Sequence, residues 1–159
     1  MLSEELYNQI FNNFGQQQEL YVKMSDWSRQ ELDLLEQDDW DGDRLNNLLE
    51  ERQGIINEID ALGRLNKQLQ EQVTLNLGLG EFMLSSLESH LKSQQFQALQ
   101  ELLRDLGQLL VHISEMDQQS HLLIKKRIES RKNASKSENR LVQNAYREAM
   151  QQAKRFDEF

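Results

Sequence analysis

Residues 44–73, RLNNLLEERQGIINEIDALGRLNKQLQEQV, constrain the fold of this chain more than any other stretch. Steps of alternately three and four residues pick out Leu45, Leu48, Arg52, Ile55, Ile59, Leu62, Asn66, Leu69 and Val73. Seven of these nine are large and apolar, and the residues between them are mostly Glu, Asn, Gln, Asp and Arg. An apolar stripe of this period is stable only when other helices lie along it. At about 1.5 Å per residue the helix would be roughly 44 Å long, which suits a rod-like bundle better than a small globule. Two stripe positions are polar, Arg52 and Asn66, and there packing is exchanged for register or partner choice.

The rest of the chain supplies the partners. Residues 3–37 are expected to form a first helix, opened by Ser3 and an acid-rich first turn. Its stripe reads Tyr7, Ile10, Phe14, Gln17, Tyr21, Met24, Ser28, Glu31 and Leu35, and it thins around Gly15–Gln18, where a bend or a looser contact is expected. The aromatic residues on this helix read as core packing. Four aspartates and a glycine in residues 38–43 then form a turn, with Asp41 or Asp43 as N-cap of the next helix. This turn is not an EF-hand: counted from Asp39, Gly42 falls fourth rather than sixth, although Glu50 falls twelfth.

Gly78 and Gly80 mark a hinge, followed by a short helix carrying Phe82, Leu84, Leu87 and Leu91 and ending near residues 92–95. A second long stripe begins at Phe96: Leu99, Leu102, Leu106, Leu109, Ile113, Met116, Ser120 and Leu123. The expected fold class is therefore all-α. Its architecture is an elongated antiparallel bundle of three long helices plus a short one, with a C-terminal amphipathic helix. The complete absence of proline agrees with this.

The domain reading is a helical body over 1–128, a polar linker or helix extension over 129–140, and an amphipathic helix over 141–156. Residues 129–140, ESRKNASKSENR, contain no large apolar side chain and can bury nothing. On a helical wheel at about 100° per residue, residues 141–156 separate cleanly. Leu141, Val142, Ala145, Tyr146, Ala149, Met150, Ala153 and Phe156 share one half, while Arg140, Gln143, Asn144, Arg147, Glu148, Gln151, Lys154 and Arg155 share the other. Three uses of that face are open: the last element of the chain's own bundle, a helix that captures an amphipathic partner, or a basic membrane-surface helix. Its five large side chains at roughly 1.5–3 kcal/mol each give on the order of 7–15 kcal/mol gross. Ordering and association costs reduce this to affinities near micromolar.

Charge is unevenly placed within the net −9. Residues 1–124 carry 8 basic against 22 acidic side chains, and residues 125–156 carry 10 against 3. A basic tail on an acidic body is one way to meet nucleic acid, but aromatic interleaving is poor and the overall sign is wrong, so no nucleic-acid partner is expected. No apolar run approaches the roughly 20 residues that span a bilayer, so no stable membrane insertion is expected. The acidic N-terminus is unlike a signal peptide and there are no cysteines, both in keeping with a cytoplasmic location.

Catalytic signatures are missing. No glutamate precedes His90, His112 or His121 by three residues, as a di-iron bundle requires. Asp117 and His121 share a helix face, but two ligands do not make a metal site. Neither a P-loop, a GxSxG nor an HExxH occurs. The chain is expected to be no enzyme and to need no cofactor.

The segment Leu48-Leu49-Glu50-Glu51-Arg52-Gln53-Gly54-Ile55-Ile56-Asn57-Glu58-Ile59-Asp60-Ala61-Leu62 resembles the LL-x-x-R-(Q)-x-I-I-x-x-I-x-x-L segment of the FlgN-like flagellar export chaperones. Ala145-Tyr146-Arg147 and Arg155-Phe156-Asp157 are similar to tail motifs of variants in that family from Gram-positive bacteria. The related FliT-like chaperones share the plan. The resemblance implies a cytoplasmic chaperone of type III export that keeps flagellar hook-associated proteins of FlgK and FlgL type unpolymerised and brings them to the export apparatus. It also implies that the face from Leu141 to Phe156 meets the client's C-terminal helix, with Tyr146 the foremost contact. The strongly basic 125–155 region departs from the commoner family pattern. The competing reading is a structural helical-bundle adaptor whose last helix only completes its own core. An exposed stripe on so long a bundle would also favour a homodimer.

Overall fold

Local chemistry at the helix ends divides the chain into its elements. In the computed structural model, which describes the backbone of residues 1–157 and the side chains of residues 1–133, Arg140, Asn144 and Arg147, every regular element is helical. Helix α1 spans Glu4–Leu35, α2 Gly42–Leu77, α3 Leu84–Leu87 and α4 Ser93–Asp157, with a single 3₁₀ turn at Glu88–His90. Ser3 caps α1, its hydroxyl accepting from the Leu6 N–H at 3.2 Å, with Glu4 and Glu5 in the first turn. Asp41 caps α2 by accepting from the Asp43 N–H at 2.9 Å. Gly78 ends α2 in the left-handed region, at φ 66°. The Leu79 N–H donates to the Thr74 carbonyl and the Gly78 N–H to that of Leu75, the Schellman pair that a residue without Cβ permits. At the head of α4, Gln95 Oε1 accepts from the Lys92 N–H, half of a capping box.

One expectation is adjusted. The short helix is one turn, followed by the 3₁₀ turn, and does not run on to residues 92–95: Leu91 is extended, and the His90 carbonyl accepts from the Leu2 N–H at 3.0 Å, so the connection is tied to the start of the chain. Residues 129–140 lie inside α4 and are helical. Lacking glycine and proline, this polar stretch has nothing to stop a helix.

The chain falls into two compact units, Met1–Gln119 and Ser120–Phe159. In the first, contacts fix the directions of the helices. Asn13 of α1 meets Leu62 and Asn66 of α2, and Trp27 meets Leu48, so α1 and α2 are antiparallel. Tyr7 meets Gln95 and Ser28 meets Asp117, so the opening stretch of α4 runs parallel to α1. One core gathers Leu6, Tyr7, Ile10 and Phe14 of α1 with Leu69 and Val73 of α2, Leu87 of α3, and Leu99, Leu102 and Leu106 of α4. Nearer the α1–α2 turn, Leu20, Met24, Trp27, Leu32, Leu45, Leu48, Ile113 and Met116 are buried as well. In the second unit, Arg140, Asn144 and Arg147 are exposed.

Candidate functional site

Polar residues at apolar stripe positions are costly unless paired, so their partners mark where the body is built for more than burial. Both polar positions of α2 have partners on neighbouring helices. Asn66, 4 % exposed, donates through Nδ2 to Asn13 Oδ1 at 2.9 Å. Asn13 Nδ2 donates to the Leu62 carbonyl at 3.1 Å. Gln17 and Gln70, each one turn along, donate to Asn13 Oδ1 and Asn66 Oδ1 at 2.7 and 2.5 Å and complete a polar layer between α1 and α2. This layer lies where the α1 stripe thins, and α1 crosses it without a break.

Arg52 joins three helices. Its guanidinium grips Asp117 of α4 in a two-point pair, Nη2 to Oδ2 at 2.6 Å and Nη1 to Oδ1 at 3.3 Å. It lies 4.9 Å above the Trp27 ring of α1, and Nη1 is 3.8 Å from Glu31 Oε2. Ser28 donates to Asp117 Oδ1 at 2.9 Å, and the Trp27 indole N–H donates to the Leu48 carbonyl. Arg52 and Asp117 remain about a quarter exposed, whereas the Glu31 side chain is only 5 % exposed. Burial pushes the Glu31 carboxyl above its ordinary range; Arg52 opposes the shift and Asp117 adds to it.

The same helices leave a groove on their outer seam. Two adjoining hollows of about 390 and 500 Å³ share Gln16. Leu20, Ala61, Leu62, Leu65 and Leu69 line them together with Gln9, Asn12, Asn13, Glu19, Lys23, Glu58 and Gln72. Leu65 is 48 % exposed there, and no residue of α2 between Leu48 and Asn66 is fully buried. Beside this seam, burial and the Asp60 carboxylate hold the Tyr21 phenol above its ordinary range.

The residues expected to bind a partner, Leu141, Val142, Ala145, Tyr146, Ala149, Met150, Ala153 and Phe156, have helical backbone, and their side chains lie outside the described residues. Arg140, Asn144 and Arg147, assigned to the polar half of that wheel, are exposed. Asp117, considered above for its spacing to His121, turns its carboxylate to Arg52 and Ser28. Among the described residues no group of three or more His, Asp or Glu is placed to hold a metal, and no helix is long and apolar enough to cross a membrane.

Asp117 and Asn13 are the members of these networks that periodicity alone passes over. Ser28 and Glu31 carry a signal, since both stand on the α1 stripe where an apolar residue belongs. Asp117 gives none, being next to the stripe residue Met116 and not on the stripe.

No protein-family model, no curated protein and no solved structure matches the chain.

Proposed function

We propose that the chain is a cytoplasmic chaperone of the flagellar type III export route, similar in plan to the FlgN-like proteins and with no catalytic step. Its body is an elongated antiparallel bundle of three long helices and a short one, and its working part is the amphipathic segment 141–156. The clients are hook-associated proteins of FlgK and FlgL type, held unpolymerised and passed to the export apparatus. The observation that carries the reading is the separation of 141–156 into an apolar and a basic polar half, in a stretch whose backbone is helical. A client that assembles through amphipathic helices is well masked by a helix of the same period. The part played by Arg52 adds support: the arginine of the LL-x-x-R motif ties α2 to α1 and α4, as a residue that specifies a scaffold should.

Co-purification tests the proposal. Tagged protein expressed in a flagellated bacterium should bring down a hook-associated protein, and removal of residues 138–159 should abolish the capture. Recovery of no such client, with the truncation leaving all bound proteins unchanged, would refute the chaperone reading and favour the structural adaptor. Tyr146→Asp should weaken capture with the thermal midpoint unchanged, while a large loss of stability would assign Tyr146 to the core of the body.

A further inference from the structure

The α1/α2 groove has no occupant in the function proposed above, and its length and chemistry select one. We propose that it receives the amphipathic segment 141–156 of a second copy of this chain. Along α1 the groove runs from Gln9 to Lys23, about 21 Å at 1.5 Å per residue; 16 residues of helix extend about 24 Å. Its shallow floor is mixed: Leu62 is half-buried and Leu65 half-exposed, and Asn12, Asn13 and Gln16 lie among the residues that line it. A shallow floor suits a face on which Ala145, Ala149 and Ala153 recur every fourth residue, since small side chains let two helix axes approach closely.

Charge selects the same occupant. Residues 1–119 carry 22 acidic and 8 basic side chains, a net −14, and residues 120–159 carry 10 basic and 5 acidic, a net +5. Among the residues lining the groove the acids Glu19 and Glu58 outnumber Lys23. The polar half of 140–156 offers Arg140, Arg147, Lys154 and Arg155 against a single acid, Glu148. Each copy is net −9, so the attraction is local, between the basic tail of one copy and the acidic body of the other, and Leu62 and Leu65 set the final fit. Each copy brings one groove and one segment, so a closed pair satisfies both.

Sedimentation equilibrium of the full chain should show a dimer with a dissociation constant near micromolar at about 50 mM salt, weakened about tenfold or more at about 500 mM. Leu65→Glu and Glu58→Lys should each weaken the dimer by about tenfold or more, with helix content unchanged and the thermal midpoint unchanged at concentrations where the parent is monomeric. Glu58 is exposed, which keeps the second variant clear of any folding defect. The chain contains no cysteine, so chains bearing Leu65→Cys can be mixed with chains bearing Ala149→Cys and treated with a short bis-maleimide. Cross-links between the two kinds of chain support the proposal. It is overturned by a monomer at about 100 μM in low salt, or by a dimer indifferent to both groove substitutions. Coupling only between two Leu65→Cys chains overturns it too, as does coupling within one doubly substituted chain at high dilution. None of these outcomes depends on what client the protein carries.

Discussion

Replacing Arg52 by methionine separates the charge at the three-helix junction from its packing. The methionine stem still covers Trp27, but Asp117 loses its two-point partner and faces Glu31 with no cation between them. Removing one member of a fully buried ion pair costs about 3–5 kcal/mol, whereas exposed pairs contribute about 0–1 kcal/mol. Arg52 and Asp117 are about a quarter exposed, which places Arg52→Met between these limits, at about 2–3 kcal/mol. For a chain of this size that is a fall in thermal midpoint of roughly 5–10 °C. Urea unfolding followed by circular dichroism measures it, with Asp117→Asn and the double variant completing a cycle. Because the groups touch, a coupling of about 1–2 kcal/mol is expected. A loss below about 0.5 kcal/mol for Arg52→Met, or additivity in the double variant, would mean that the junction is ornamental and that apolar layers alone hold the three helices.

Other consequences follow from the same contacts. Glu31 has its folded pKa raised above the unfolded value, so the native state holds the proton more tightly than the unfolded chain. Its contribution to stability therefore falls as pH rises from the ordinary carboxyl range through the raised folded pKa. Glu31→Gln should be more stable than the parent at pH 7, with the advantage gone at about pH 4, as read from paired urea titrations. Asn66→Leu takes a donor from Asn13 Oδ1 and the acceptor from Gln70, and should cost about 1–3 kcal/mol in urea unfolding. Adding Asn13→Leu should recover part of that loss, since the Asn13–Asn66 pair is then apolar on both sides while Gln17 and Gln70 lose their acceptors. Gly78→Ala forces a Cβ into the left-handed region at φ 66° and should lower stability by about 1–2 kcal/mol, although the space around Gly78 is open.

Much of the fold was legible because helices announce themselves through period and caps. The stripes of residues 7–35, 45–73 and 99–123, together with Ser3, Asp41 and Gly78, outline α1, α2 and the first part of α4. Arg52 and Asn66 were legible as exceptions, because a polar residue on an apolar stripe needs a reason. Their partners were not. Pairing Arg52 with Asp117, 65 positions later, depends on how far each helix is slid along its neighbours, and a repeating stripe is nearly indifferent to slides of whole turns. The groove was hidden for a related cause: Ile55, Ile59 and Leu62 continue the stripe without a gap, yet they end half-buried where α1 offers Gln16, Gln17 and Gln18 in place of leucines. The one-turn α3 escaped because Phe82, Leu84, Leu87 and Leu91 fit a helical period, while the Leu2 bond to His90 holds the chain out of it.

The position of Trp27 has an optical consequence. Its indole is almost wholly buried, lies beneath the Arg52 guanidinium and donates to the Leu48 carbonyl, while the other tryptophan, Trp40, sits half-buried in the turn before α2. In a Trp40→Phe background, excited at the red edge where the three tyrosines do not absorb, the tryptophan emission of the chain comes from this junction alone. Any partner that prises α2 from α1 would admit water to the indole and shift its spectrum to the red, and a partner bound elsewhere would leave the emission unchanged.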